Sequence, residues 1–273
     1  MICECKETLI RISNISLVLS GFQILKGVNA EIKNRVGHGQ IDAVLGPNGA
    51  GKTSFLRVMA GLLKPTTGSV TVFNECCQKE IVVEQGMVGL VSQKYPLFDD
   101  RRVISNLTVA AHMKEKLSGS EARDKAMEML SRFGLTGHAN LFPAQLSGGQ
   151  RQRVAIIQQI LCSDHYLLLD EPFSGLDPIA KEDVCNLIQE VADMNELNTI
   201  IIVTHDIKQA ICVADTLWLM GRDHDVKGEI IPGSYIKKIY DLAELNLAWH
   251  KESHLTPEFS EFERLVMKEF KNL

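Results

Sequence analysis

The sequence predicts an α/β fold built on a mostly parallel sheet, and three observations predict it. Short apolar runs alternate with stretches of helical periodicity along most of the chain, the order that gives parallel strands joined by helical crossovers. One apolar run, Ile41 to Leu45, leads into a glycine-rich loop that opens a helix. Another, Tyr166-Leu167-Leu168-Leu169, ends in the carboxylates Asp170 and Glu171. A buried parallel strand reads this way, and ligands collect beyond its carboxyl end.

Taken in order, residues 8–45 hold Leu9-Ile10-Arg11-Ile12, Leu17-Val18-Leu19, Ile24-Leu25 and Ile41 to Leu45, a small set of strands separated by turns. Residues 52–62 read as a helix with Phe55, Met59 and Leu62 on one face, ended by Gly61 and Pro65. Strands recur near 69–73 and 87–92. Residues 103–135 read as helix with a break at Ser118-Gly119-Ser120, and 149–162 as another helix. A strand at 166–170, a helix at 178–194 and a strand at 199–203 follow. The helical block at 103–162 interrupts the alternation and therefore reads as a subdomain. The stretch 222–273 reads as a C-terminal extension, expected to be helical. Thr256-Pro257 marks a helix start, and Phe259, Phe262, Val266 and Phe270 form a stripe that packs on the body or, alternatively, serves as a docking face.

Bulk properties narrow the function. The 273 residues are 45% hydrophobic and 23% charged, which fits a globular chain and argues against disorder. Lys and Arg number 29 against 34 Asp and Glu, a net charge of −5. Without a long basic run, a nucleic-acid partner is not expected. No apolar stretch approaches the ~18–20 residues that cross a bilayer, and Met1 to Glu7 lacks a signal-peptide core. A cytoplasmic location is expected, with any membrane-spanning part supplied by another chain. The seven cysteines, at 3, 5, 76, 77, 162, 185 and 212, are expected to be reduced thiols. Cys3-x-Cys5 has no accompanying His/Cys set with zinc-site spacing.

The strongest motif is Gly46-Pro47-Asn48-Gly49-Ala50-Gly51-Lys52-Thr53, with Ser54 next. It has the strand–loop–helix context that a phosphate-cradling loop requires. Glycines let successive N–H groups turn toward phosphate oxygens, and the helix N-terminus adds donors. Lys52 is expected to reach the β- and γ-phosphates and Thr53 to ligate Mg²⁺. Asp170 is placed for the Mg²⁺ shell, and Glu171 can polarise an attacking water. Leu146-Ser147-Gly148-Gly149-Gln150, followed by Arg151-Gln152-Arg153 and a helix, reads as a second anion-binding nest. A chain with one phosphate loop needs no second such site of its own. The economical reading is that this nest serves nucleotide held by another copy.

At this motif the sequence resembles the ABC ATPase family, whose signature is Leu-Ser-Gly-Gly-Gln, over residues from about 8 to 220. Gln93 resembles the family's Q-loop glutamine, Ser174-Gly175-Leu176-Asp177 its D-loop, and Thr204-His205-Asp206 its switch-histidine segment. The resemblance implies a P-loop NTPase core, an N-terminal antiparallel β-subdomain and an inserted α-helical signature subdomain. It divides the chain into an ATPase domain at 8–221, with its helical part at about 95–163, and the extension at 222–273. It implies ATP and Mg²⁺ as cofactors and a head-to-tail dimer. Each ATP then lies between one phosphate loop and the partner's Ser147, Gly148, Gly149 and Gln150, with Asp177 on the closed interface. Glu171, His205, Gln93 and Lys52 are the implied catalytic groups. Thr53, Gln93 and Asp170 are the implied metal ligands.

The implied function is ATP hydrolysis powering transport, with transmembrane permease subunits, a second cassette and a solute-binding protein as partners, at the cytoplasmic face of the membrane. Pro96-Leu97-Phe98 to Asn106-Leu107-Thr108 and Thr204 to Asp215 resemble importers, and the region from Pro232 to Trp249 loosely resembles the nitrate/sulfonate/taurine branch. An exporter subunit or a non-transport ABC ATPase is the alternative. The family's adenine-stacking aromatic falls on Leu19, with Phe22 out of register; Gln158 stands where Arg is common; Asp42 lies where the family is apolar.

Overall fold

The computed structural model describes residues 5–35, 37–74, 79–115, 117–163, 165–248 and 255–273. Cys3, Cys76, Cys77 and Trp249 fall outside these residues.

Two sheets organise the chain. Strands β1 (Cys5–Leu19), β2 (Phe22–Arg35), β4 (Thr67–Asn74) and β5 (Lys79–Val82) form an antiparallel sheet in the order β2-β1-β4-β5. The six-stranded sheet contains β3 (Gln40–Leu45), β6 (Gly89–Val91), β7 (Tyr166–Asp170), β8 (Thr199–Thr204), β9 (Thr216–Gly221) and β10 (Tyr235–Asp241), in the order β10-β9-β3-β8-β7-β6. Its strands run parallel except β10. Ile41 to Leu45, grouped above with the N-terminal strands, therefore belongs to the core sheet. Every residue of β3 and β8 is buried, as expected for central parallel strands covered on both faces.

Strand periodicity sorts the core into layers. Leu167, Leu169, Ile200 and Ile202 face the helices α2 (Val103–Glu115), α3 (Gly119–Arg132), α4 (Gly148–Cys162) and α5 (Pro178–Ala192). Leu168, Ile201, Val203 and Trp218 face α1 (Lys52–Met59) and the antiparallel sheet. Ala43, Leu45, Leu217 and Leu219 pack with α6 (Ile207–Val213) and α7 (Pro257–Phe270). The break before α3 is a capping box: the Ser118 hydroxyl accepts from Glu121 N, and the Glu121 carboxylate accepts from Ser118 N.

Two local expectations change. Leu62 lies beyond the end of α1 and is exposed, because the helix stops at Met59. The extension is not wholly helical. Its residues 235–241 form β10, whose mixed burial hides the strand signal, and among the described residues its α-helix is α7. The α7 stripe is buried at Phe259, Phe262 and Val266, with the Phe262 ring edge-on to Tyr240 at 5.1 Å. Among the described cysteines, Cys162, Cys185 and Cys212 are free thiols. Burial pushes Cys185 up to about 12 and Cys212 up to about 11, away from thiolate reactivity.

Candidate functional site

The glycine-rich loop leaves β3 wedged against the ends of two neighbouring strands. Gly46 N donates to Thr204 O at 3.3 Å. A Cβ at Gly46 would stand 2.5 Å from the Met220 carbonyl, so only glycine fits there. Lys52, in the first turn of α1, is buried. Its Nζ donates to Gly46 O at 2.8 Å and to Pro47 O at 3.1 Å, and lies 3.4 Å from Glu171 Oε1. A buried ammonium is tolerated because it is paired in this way. Ile24 and Leu25 of β2 close over Gly51.

The opposite wall comes from the ends of β7 and β8. Thr53 Oγ1 donates to Asp170 Oδ1 at 3.2 Å. Burial holds the Asp170 carboxyl above its ordinary value, with Glu171 adding and the Thr53 hydroxyl and Lys52 opposing. Glu171 adopts φ +50°, rare for a residue with a side chain. Such strain persists where surrounding contacts over-determine it, and here they do. Glu171 N donates to Val203 O at 2.9 Å, the Thr204 hydroxyl donates to Glu171 Oε2 at 3.2 Å, and His205 Nδ1 lies 2.9 Å from the same oxygen. Lys52, Thr204 and His205 thus converge on one carboxylate.

A Thr53 hydroxyl beside a single carboxylate, next to a phosphate loop, is the kind of oxygen set that holds Mg²⁺ together with substrate phosphates. Gln93, two residues past β6, does not join this cluster; its Nε2 donates to Ser174 Oγ at 3.0 Å. Asp177 caps α5, accepting from Ile179 N and Ala180 N at 3.0 Å each.

Ser147 caps α4, accepting from Gln150 N at 3.3 Å while Gln150 Oε1 accepts from Ser147 N at 2.9 Å. Ser147, Gly148 and Gly149 are exposed. Among the described residues, no hydrogen bond or ion pair links 147–150 to the phosphate loop.

Sequence reasoning missed three neighbours of the site: Thr204 as a partner of Glu171, Ser174 as a partner of Gln93, and Arg222, whose Nη2 donates to Gly49 O at 2.8 Å. The first two lie inside quoted motifs, but Arg222 carries no sequence signal. Asp42 also gains an explanation. It is buried in β3 beside Asp215, Thr216 and Arg35. Burial, with Asp215 nearby, pushes its carboxyl up to about 8 against the pull of Arg35 and Thr216. At neutral pH it is mostly uncharged, which a buried strand can accept.

The profile of the ABC transporter family matches residues 29–174. The chain is 35% identical over 236 residues to the glutamate/aspartate import ATP-binding protein GltL of Escherichia coli strain K12, covering 85% of this chain and 93% of that protein. It is 35% identical over 235 residues to the sulfate/thiosulfate import ATP-binding protein CysA 2 of Rhizobium meliloti, covering 85% of this chain but only 61% of that protein. The structure superposes on a dimeric ATP-binding cassette in a post-hydrolysis state bound to ADP and Pi, with a TM-score of 0.67 and 25% identity, covering 86% of this chain and 99% of that one.

Proposed function

The chain belongs to the ABC transporter family, and from that premise we propose an ATP-driven clamp in which two cassettes close head to tail to power import. The protein is an ATP-binding and ATP-hydrolysing transporter subunit. The observation that carries the mechanism is the convergence of Lys52, Thr204 and His205 on Glu171 beside the phosphate loop, while the Ser147 turn lies open elsewhere.

Backbone N–H groups of 48–49 and 51–54 cradle the phosphates of ATP, and Lys52 holds the β- and γ-phosphates. Thr53 and Asp170 would hold Mg²⁺, which would neutralise phosphate charge, and Gln93 would join them by leaving Ser174. Glu171 takes a proton from water as the water oxygen bonds to the γ-phosphorus and the bond to the bridging oxygen breaks, leaving ADP and phosphate. His205 orients that water and the γ-phosphate. The partner's signature turn supplies N–H donors from the far side, and loss of the γ-phosphate releases the clamp. The β1–β2 hairpin tip offers adenine Leu19 and Phe22, a cross-strand pair, and Phe22 is the more exposed at 73%.

Import is supported by the names of GltL and CysA 2. No helix among the described residues is long and apolar enough to cross a membrane, so permease subunits supply that part and the cassette sits peripherally at the cytoplasmic face. A groove of about 530 Å³, lined by Pro96, Leu97, Phe98, Val109 and Met113, is the proposed seat for the permease. Co-purification with a permease that depends on a solute-binding protein separates import from export.

Glu171→Gln is the direct test. It removes the base while keeping shape, so phosphate release falls at least ~100-fold, and ATP drives the chain into a dimer on size-exclusion chromatography. Hydrolysis at the parent rate overturns the role of Glu171.

A further inference from the structure

We infer that Arg222 is a positioning residue for nucleotide binding, and that the docked C-terminal helix holds it in place. The inference rests on the phosphate-loop reading above. Turning loop N–H groups toward a phosphate turns the intervening carbonyls outward, and those carbonyls need partners of their own. Lys52 serves Gly46 and Pro47. Gly49 is served by Arg222, whose Nη2 donates at 2.8 Å. Gly49 adopts φ +80°, a conformation open to glycine at little cost, and glycine is also the residue that most readily leaves it. The peptide unit from Gly49 to Ala50 is held at both ends, because Ala50 N donates to Pro47 O at 3.2 Å.

Arg222 is in turn held by the extension. It directly follows β9. Its backbone N donates to Leu273 O at 2.7 Å, and its carbonyl accepts from Lys237 Nζ at 3.0 Å. The same ammonium reaches Asn272 O at 3.1 Å. A Cβ at Gly221 would stand 2.6 Å from Leu273 O, so the turn after α7 sits directly on the residue before the arginine. Further along, Lys238 Nζ and the Tyr240 hydroxyl both donate to Glu269 of α7 at 2.7 Å. A continuous set of contacts therefore runs from α7 through Lys237 and Arg222 to the crest of the loop.

Fixing that peptide before ATP arrives lowers the ordering cost of binding and leaves the chemical step untouched. The effect belongs in affinity and KM, with kcat preserved. Calorimetric titration with Mg·ATP gives Kd, and phosphate release gives kcat. Arg222→Ala weakens ATP about tenfold, as for loss of a charge-assisted hydrogen bond, with kcat within about twofold. Arg222→Lys, which keeps one donor, recovers part of the loss. Lys237→Met weakens ATP about threefold and adds nothing on top of Arg222→Ala, because it acts through the arginine.

Unchanged Kd in folded Arg222→Ala overturns the inference, as does a fall in kcat at constant KM. If Arg222→Ala does not fold, Lys237→Met alone decides: parent affinity there overturns the coupling. Additive losses in the double variant also overturn the coupling to α7. Failure of the unaltered chain to bind Mg·ATP would instead sink the phosphate-loop reading.

Discussion

The loop at 46–53 and the turn at 147–150 both open a helix with glycines and hydroxyl residues, yet they are finished to different degrees. The loop is braced from several sides by its own chain while Asn48, Gly49 and Thr53 stay exposed: Met220 behind Gly46, Ile24 over Gly51, Arg222 at Gly49 and Glu171 at Lys52. The turn is capped by Ser147 and Gln150, but a Cβ added at Gly148 or Gly149 would meet nothing within 4 Å. Gly46 has a steric reason inside the chain, whereas Gly148 and Gly149 have none. The comparison teaches that a glycine without an internal reason points to a contact outside the chain.

The sharpest way to break this comparison is Ser147→Arg, which fills the open turn. Phosphate release should drop ~100-fold or more, as on loss of transition-state donors, while calorimetric affinity for Mg·ATP stays near the parent. Unchanged turnover would mean that the turn faces no nucleotide. The two glycines offer the next contrast. Gly46→Ala drives a methyl into the Met220 carbonyl, and chemical denaturation should show a loss of about 3 kcal/mol. Gly149→Ala, in the first turn of α4, should leave stability equal or raise it by up to about 1 kcal/mol, yet lower ATP turnover. A matching stability loss at both positions would erase the distinction.

The smallest effect tests the support beneath the loop. The folded pKa of Asp42 stands above its ordinary 3.8, so the folded chain holds a proton that the unfolded chain releases. Its contribution to stability is therefore present below pH 4 and is lost as pH rises through about 8. Asp42→Asn mimics the protonated acid. Denaturation curves should show the parent losing about 2 kcal/mol relative to the variant between pH 6 and pH 8. Parallel pH profiles would mean that Asp42 is ionised throughout.

Long periodic segments were legible in the sequence. The Tyr166–Asp170 strand, the helices on either side of Ser118, and α4 and α5 stand within a few residues of where their patterns place them. Each carries its own signal: a continuous apolar run, a cap, or a glycine turn. Strand β9 was missed despite its apolar run Leu217 to Met220, but the other unforeseen elements lack such a signal. Helix α6 spans only seven residues, β5 only four, and β10 alternates neither burial nor polarity; their neighbours decide their conformation. At the site, motifs located Lys52, Thr53, Asp170, Glu171 and His205, and they meet in two sets: Thr53 bonds Asp170, while Lys52 ion-pairs with Glu171, which also meets His205. The link from Arg222 to Gly49 joins residues 173 positions apart, and no local pattern encodes it.

The strand ends that carry these groups lie level with one another. Leu45 pairs with Thr204 and Asp170 with Val203, while Glu171 N and Gly46 N bond to successive carbonyls of β8. Inserting one residue into any of these strands would advance its terminal groups by about 3.3 Å and turn alternate side chains to the opposite face. The open sheet acts here as a measuring rule, and even a change in strand length absorbed by the packed layers would pull the histidine and the glutamate out of step.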